Sequence, residues 1–121
     1  ETLGDGGLYS CLSDLLRWQS LFRAGEVLSR STLERMKRPG RLDSGEEFEY
    51  GLGLQIERRA GGRSWWGHSG SWTQSAVMIG RYPEQQLSVI VLSNEFMAPV
   101  ERISQRAAAM ASINGLQIGC R

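Results

Sequence analysis

The stretch Ser64–Asn94, SWWGHSGSWTQSAVMIGRYPEQQLSVIVLSN, decides the fold. Its second run, SAVMIGRY from Ser75 to Tyr82, and its third, LSVIVLSN, are rich in strand-favouring apolar residues. Pro83-Glu84-Gln85-Gln86 between them reads as a hairpin connection. Val89, Ile90, Val91 and Leu92 are apolar at successive positions, which predicts a strand covered on both faces. The first run, SWWGHSGSW from Ser64 to Trp72, reads as the strand before them.

Working upstream, AGGR (Ala60–Arg63) is a turn signal. Before it, Leu52, Leu54 and Ile56 fall on one face of a strand and Gln55 and Glu57 on the other. Arg38 to Glu49 reads as a polar loop. Two helices precede that loop. In the first, Ser13 is the expected cap, Asp14 lies in the first turn, Leu15, Trp18, Leu21 and Phe22 form an apolar stripe, and Gly25 stops the helix. The second runs from about Ser29 to Lys37, with Ser29 as N-cap and a Ser31–Glu34 capping box as the competing start. Downstream, Pro99 suits the first position of a last helix with Val100, Ile103, Ala107 and Met110 as its apolar stripe and Gly115 as its C-cap. The order predicts an α+β domain over residues 1–121. Two short helices precede an antiparallel sheet of about four strands, and a C-terminal helix packs on that sheet.

Bulk composition fits an ordinary globule. Hydrophobic residues are 40% and charged residues 22% of the 121. A chain of this length buries roughly two-thirds of its unfolded surface. The net charge of +1 gives no reason to expect nucleic acid as a partner, and the basic run Arg35, Lys37, Arg38, Arg41 is followed by Asp43, Glu46, Glu47 and Glu49. No apolar run approaches the ~20 residues of a membrane helix. Cys11 and Cys120 form no metal-ligand spacing, so neither a metal nor any other cofactor is expected. The chain opens at Glu1, so a processed N-terminus or a piece of something longer is expected.

His68, the one histidine, stands among Trp65, Trp66, Trp72 and the hydroxyls of Ser69 and Ser71. From the residues alone it is either a strand histidine half-buried beside Trp66 or part of a reaction site. Alternation along a strand puts His68 and Gly70 on one face and Ser69 on the other.

Five segments taken together point further. GGLYSCLSDLLRWQSLF, VLSRSTLERM, YGLGLQI, GHSGSW and LSVIVLSN, in this order, resemble the serine β-lactamase-like family. That superfamily includes class C β-lactamases, D-alanyl-D-alanine peptidases and related esterases. The resemblance runs from about Gly6 to the last helix and matches the C-terminal portion of the fold only. It implies that His68-Ser69-Gly70 is the family's third motif, on a strand that lies along the substrate. The imidazole would polarise the site, the Ser69 hydroxyl would help hold a substrate carboxylate, and Gly70 would admit the ligand. The backbone N–H of Ser71 would serve the oxyanion hole, and Trp72 would border the substrate. The family's Gly after the third motif is replaced by Gln74, and the next strand resumes one residue early.

The resemblance also implies a nucleophile in Ser-x-x-Lys and a second basic group in a Tyr-x-Asn or similar motif. A serine needs a base held within reach to lose its proton. The one lysine, Lys37, is preceded at three residues by Glu34. Two residues after Tyr9, Tyr50 and Tyr82 stand Cys11, Leu52 and Glu84. Neither motif exists in these 121 residues, so the chain is expected to be inactive alone. The competing expectation is a fragment of an active hydrolase whose nucleophile lies upstream or on a partner chain. The family's strand at 87–94 is flanked by strands from the N-terminal part. Its uncovered edge therefore predicts self-association or an added partner strand there.

Overall fold

The strand runs of the opening stretch form the centre of the computed structural model, which describes residues 4, 6–57 and 64–113. β4 (Trp65–Trp72), β5 (Ser75–Tyr82) and β6 (Leu87–Ser93) follow one another as antiparallel neighbours, and β3 (Gln55–Glu57) pairs on the far side of β4, in the order β3-β4-β5-β6. Helices α1 (Leu12–Ala24) and α2 (Arg30–Met36) precede the sheet, and α3 (Val100–Ile113) follows it. This is the α+β arrangement that the patterning predicts. The AGGR turn, the Gly115 cap and Cys120 lie outside the described residues.

Thr73 and Gln74 alone join β4 to β5, closed by the pair Trp72↔Ser75. Their φ angles are 32° and 69°, the left-handed values that match the twist of paired strands. The strand therefore resumes early at no cost in register, which runs unbroken from Trp72↔Ser75 to Trp66↔Arg81. Between β5 and β6 the chain makes a 3₁₀ turn at Pro83–Gln85. Glu84 ties that turn to the start of β4, because the Ser64 hydroxyl and backbone N–H both donate to Glu84 Oε1. Burial pushes the Glu84 carboxyl up, but the hydrogen bonds from Ser64 and from its own backbone outweigh it and hold it below the usual carboxylate range.

Three expectations need correction here, and at α2 the choice between two caps is settled for Ser29. The first helix is capped at Cys11 without a side-chain bond, and Ser13 lies inside it, with its Oγ 2.9 Å from Cys11 Sγ. At α2, Ser29 is the cap, accepting from Thr32 N–H at 3.2 Å, while Glu34 pairs with Lys37. The loop at 38–49 contains a small hairpin, β1 (Gly40–Arg41) with β2 (Glu47–Phe48). Leu52 does not share a face with Leu54 and Ile56. Gly53 has φ 73°, which breaks the two-residue period and leaves Leu52 61% exposed.

The helix stripe at the C-terminal end also differs. Val100, Ser104 and Ala108 are buried, whereas Ile103 and Met110 are exposed. The reason lies in the sheet. A Cβ added at Gly80 would stand 2.9 Å from Ser104 Oγ, so helix and sheet approach through small residues. Tyr82 hydroxyl and Ser104 hydroxyl, 2.8 Å apart, hydrogen-bond inside that contact. Around it lie Trp65, Ala76, Met78, Val100 and Ala108, with Leu87, Val89 and Val91 at the margin. On the other sheet face, Phe22 of α1 meets Trp66 with ring centroids 5.9 Å apart. Arg81 on that face is lowered from its ordinary pKa by burial and then by repulsion from Arg23. β6 is touched on both faces but sits at the sheet edge, with Leu92 44% exposed, and is less covered than its composition predicts.

Adding a methyl group at Gly80 forces α3 away from the sheet. Gly80→Ala is expected to lower unfolding free energy by about 1–3 kcal/mol, the usual range for overpacking, in urea denaturation. An unchanged midpoint would show that α3 does not depend on this contact.

Candidate functional site

β4 is where the sequence-predicted residues meet. β3 covers only its first part, through Gln55↔Gly67, Ile56↔Trp66 and Glu57↔Trp65. Trp65 is also fastened across that pairing, since its indole N–H donates to Glu57 Oε2. Beyond Gly67 the outer edge of β4 has no strand beside it among the described residues.

The hairpin sets which backbone groups face that edge. In a two-residue hairpin the closing pair exchanges both hydrogen bonds, and bonded pairs then alternate along the strands. Trp72, Gly70 and His68 thus bond to β5, and Ser71 and Ser69 turn their N–H groups outward. The Ser69 N–H confirms the direction, because it donates to the side-chain Oε1 of Gln55 at 3.3 Å. Ser71, two residues on, directs its N–H to the same edge past the end of β3.

The two sides of the strand differ in chemistry. On one side, His68 Nε2 lies 2.9 Å from the Tyr50 hydroxyl, and the rings meet edge to face. His68 Nδ1 is 2.5 Å from the carbonyl oxygen of Ser69. A carbonyl only accepts, so Nδ1 carries a proton, and in the neutral ring Nε2 accepts from Tyr50. His68 is exposed, in contrast to the half-buried reading beside Trp66, and its ring contact is with Tyr50. Tyr50 reaches it through a tight turn. Gly40 N–H donates to Tyr50 O, Gly51 N–H to Leu54 O and Leu52 N–H to Met36 O. A Cβ at Gly51 would stand 1.9 Å from Met36 O, so only glycine fits there.

On the other side, Ser69 Oγ donates to Glu101 Oε1 at 2.6 Å. Gln55 Nε2 donates to Ser69 Oγ at 3.4 Å, as a diagonal cross-strand neighbour. Ser69, Ser71, Ala76, Met97, Val100 and Glu101 line a cleft of about 530 Å³ there. Gly70 also borders it, and Trp72 is 64% exposed at the strand end, outside the core. Tyr50, Gln55 and Glu101 were not among the site residues read from the sequence. Tyr50 stands in the YGLGLQI segment and Gln55 on the polar side of its strand, but nothing in the pattern joins Glu101 to Ser69 across 32 positions. Among the described residues no group of three or more His, Cys, Asp or Glu side chains could hold a metal ion, and no helix is long and apolar enough to cross a membrane.

The chain resembles known proteins over most of its length. A family model described as Beta-lactamase matches residues 1–112. Over 92 residues the chain is 32% identical to Penicillin-binding protein 4* of Bacillus subtilis (strain 168), covering 76% of this chain and 20% of that protein. A solved structure, the octameric penicillin-binding protein homologue from Pyrococcus abyssi, is similar with a TM-score of 0.74 and 30% identity, over 94% of this chain and 26% of that one. The chain thus spans only a fifth to a quarter of the length of these two relatives.

The Tyr50–His68 contact is open to direct measurement. Nitrogen-15 spectra of the neutral imidazole are expected to show the Nδ1–H tautomer. Tyr50→Phe removes the donor to Nε2, so the other tautomer is expected to rise. An unaltered tautomer ratio in the variant would place the cause elsewhere.

Proposed function

Since the chain belongs to the beta-lactamase family, we propose that it forms the substrate-side wall of a serine-hydrolase site and does not turn over acyl substrates alone. The observation that carries this reading is the outward N–H of Ser71 on an unpaired strand edge, directly after His68-Ser69-Gly70. A backbone N–H fixed in place before reaction is what stabilises a developing oxyanion, and losing one such donor costs on the order of 10²–10³ in turnover. His68, oriented by Tyr50, stands beside that edge, and Ser69, Gly70 and Trp72 border the space a substrate would occupy. The nucleophile and its base are the missing half, for no Ser-x-x-Lys or Tyr-x-Asn occurs in the 121 residues. The competing reading, a fragment of an active penicillin-binding, esterase or β-lactamase type hydrolase, puts that half upstream or on another chain. An in-frame Ser-x-x-Lys in the coding DNA before Glu1 would favour it.

Incubating the purified chain with a fluorescent penicillin and with p-nitrophenyl acetate is expected to leave its intact mass unchanged. Stoichiometric acylation of this chain would overturn the proposal.

A second reading concerns the sheet edge. β6 pairs only with β5, and it presents Leu87–Ser93 without a neighbour on its outer side among the described residues. An apolar open edge recruits another strand. The Pyrococcus abyssi homologue is octameric. Self-association through the 87–94 edge is the form we favour, and sizing with light scattering is expected to give a dimer or larger species. A monodisperse monomer at high micromolar concentration counts against it.

A further inference from the structure

The hydroxyl of Ser69 has one proton to give, and Glu101 holds it. At 2.6 Å, Ser69 Oγ to Glu101 Oε1 is a short hydrogen bond of the charge-assisted kind. A serine hydroxyl offers one donor and two acceptor positions. The donor is directed to Glu101 and one acceptor position faces Gln55 Nε2, which leaves Ser69 able only to accept. A substrate carboxylate, which has only acceptors when ionised, would find no proton at Ser69 and a like charge beside it. An ammonium group or another cationic N–H donor would find both an oxygen that accepts and a carboxylate that attracts.

The smaller neighbouring cleft leans the same way. Glu101 lines the cleft of about 530 Å³ with Ser69 and Ser71, and it also borders a smaller one, of about 200 Å³, with Glu49, Gln55 and Glu57. Arg102 is the cation nearest in sequence and lines the larger cleft. Adjacent helix positions point in different directions, and it is Glu101 that reaches Ser69.

We propose that this cleft selects acyl compounds bearing a cationic N–H donor at the position where the family resemblance implies a carboxylate, with Glu101 as the specificity-determining residue. The proposal rests on the reading of β4 as a substrate wall. It reverses the role that the resemblance implies for Ser69, from carboxylate donor to acceptor beside a fixed negative charge.

Two probes of matched length separate the cases: N-acetylglycine, which ends in a carboxylate, and N-acetylethylenediamine, which ends in an ammonium. Each is titrated at constant ionic strength into the nitrogen-15-labelled 121-residue chain, with the Ser69 and Ser71 amide signals as readout. The ammonium probe is expected to bind at least about tenfold more tightly, as like-charge contact penalises the carboxylate. Glu101 is exposed, so Glu101→Gln keeps the fold, checked by signal dispersion, and is expected to shrink the preference to less than about threefold. Equal or tighter binding of N-acetylglycine to the unmodified chain overturns the selectivity and leaves the substrate-wall reading standing. A preference that survives Glu101→Gln overturns the assignment to Glu101. If neither probe moves the Ser69 and Ser71 signals, the substrate wall and the selectivity both fall.

Discussion

The seat of α3 on the sheet, made by Ser104 against Gly80, is the contact on which the rest of the structure depends. Gly80 has no side chain, so the helix comes close enough for its serine to meet the Tyr82 hydroxyl at 2.8 Å. A buried hydroxyl needs a partner, and this pair satisfies it inside the core around Met78 and Trp65. The helix position follows, and with it the place of Glu101. Residues three apart on a helix share a side, so Ser104 facing Gly80 brings Glu101 over the same sheet face one turn earlier, at Ser69. A contact made for packing thereby decides the charge at the cleft.

β4 divides two environments that a sheet keeps apart. Alternation sends His68 to Tyr50 and Ser69 to Glu101, while the backbone between them sends Ser71 N–H outward along the edge. Three kinds of group, an imidazole, a hydroxyl with a carboxylate, and a bare N–H, border one strand end without competing for space. The short β3 makes this arrangement open. A longer β3 would pair with Ser69 and Ser71 and consume the outward N–H groups.

Much of this was legible in the residues. The runs in Ser64–Asn94 carry strand-favouring composition and a hairpin signal that mark the strands, and His68-Ser69-Gly70 stands out by its chemistry. The alternation of faces at His68 and Ser69 followed from the strand alone. The stripe of α3 departs from the hydrophobic pattern, which marks Ile103 and Met110, because the helix packs through Val100, Ser104 and Ala108, with Ser104 seated where Gly80 lets helix and sheet come close. Leu52 departs from the alternation because Gly53 turns the chain where the pattern assumes an extended strand.

The sequence by itself determined the strand runs, the motifs that resemble the family and the absence of Ser-x-x-Lys from these 121 residues, because these depend on local composition and on which residues exist. The tertiary structure alone decided that Tyr50 orients His68 and that Glu101 accepts the hydrogen bond of Ser69. Those contacts join positions 18 and 32 residues apart. No local pattern encodes such distances, since they arise only when the turn at Gly51 and the close approach at Gly80 bring separate elements together.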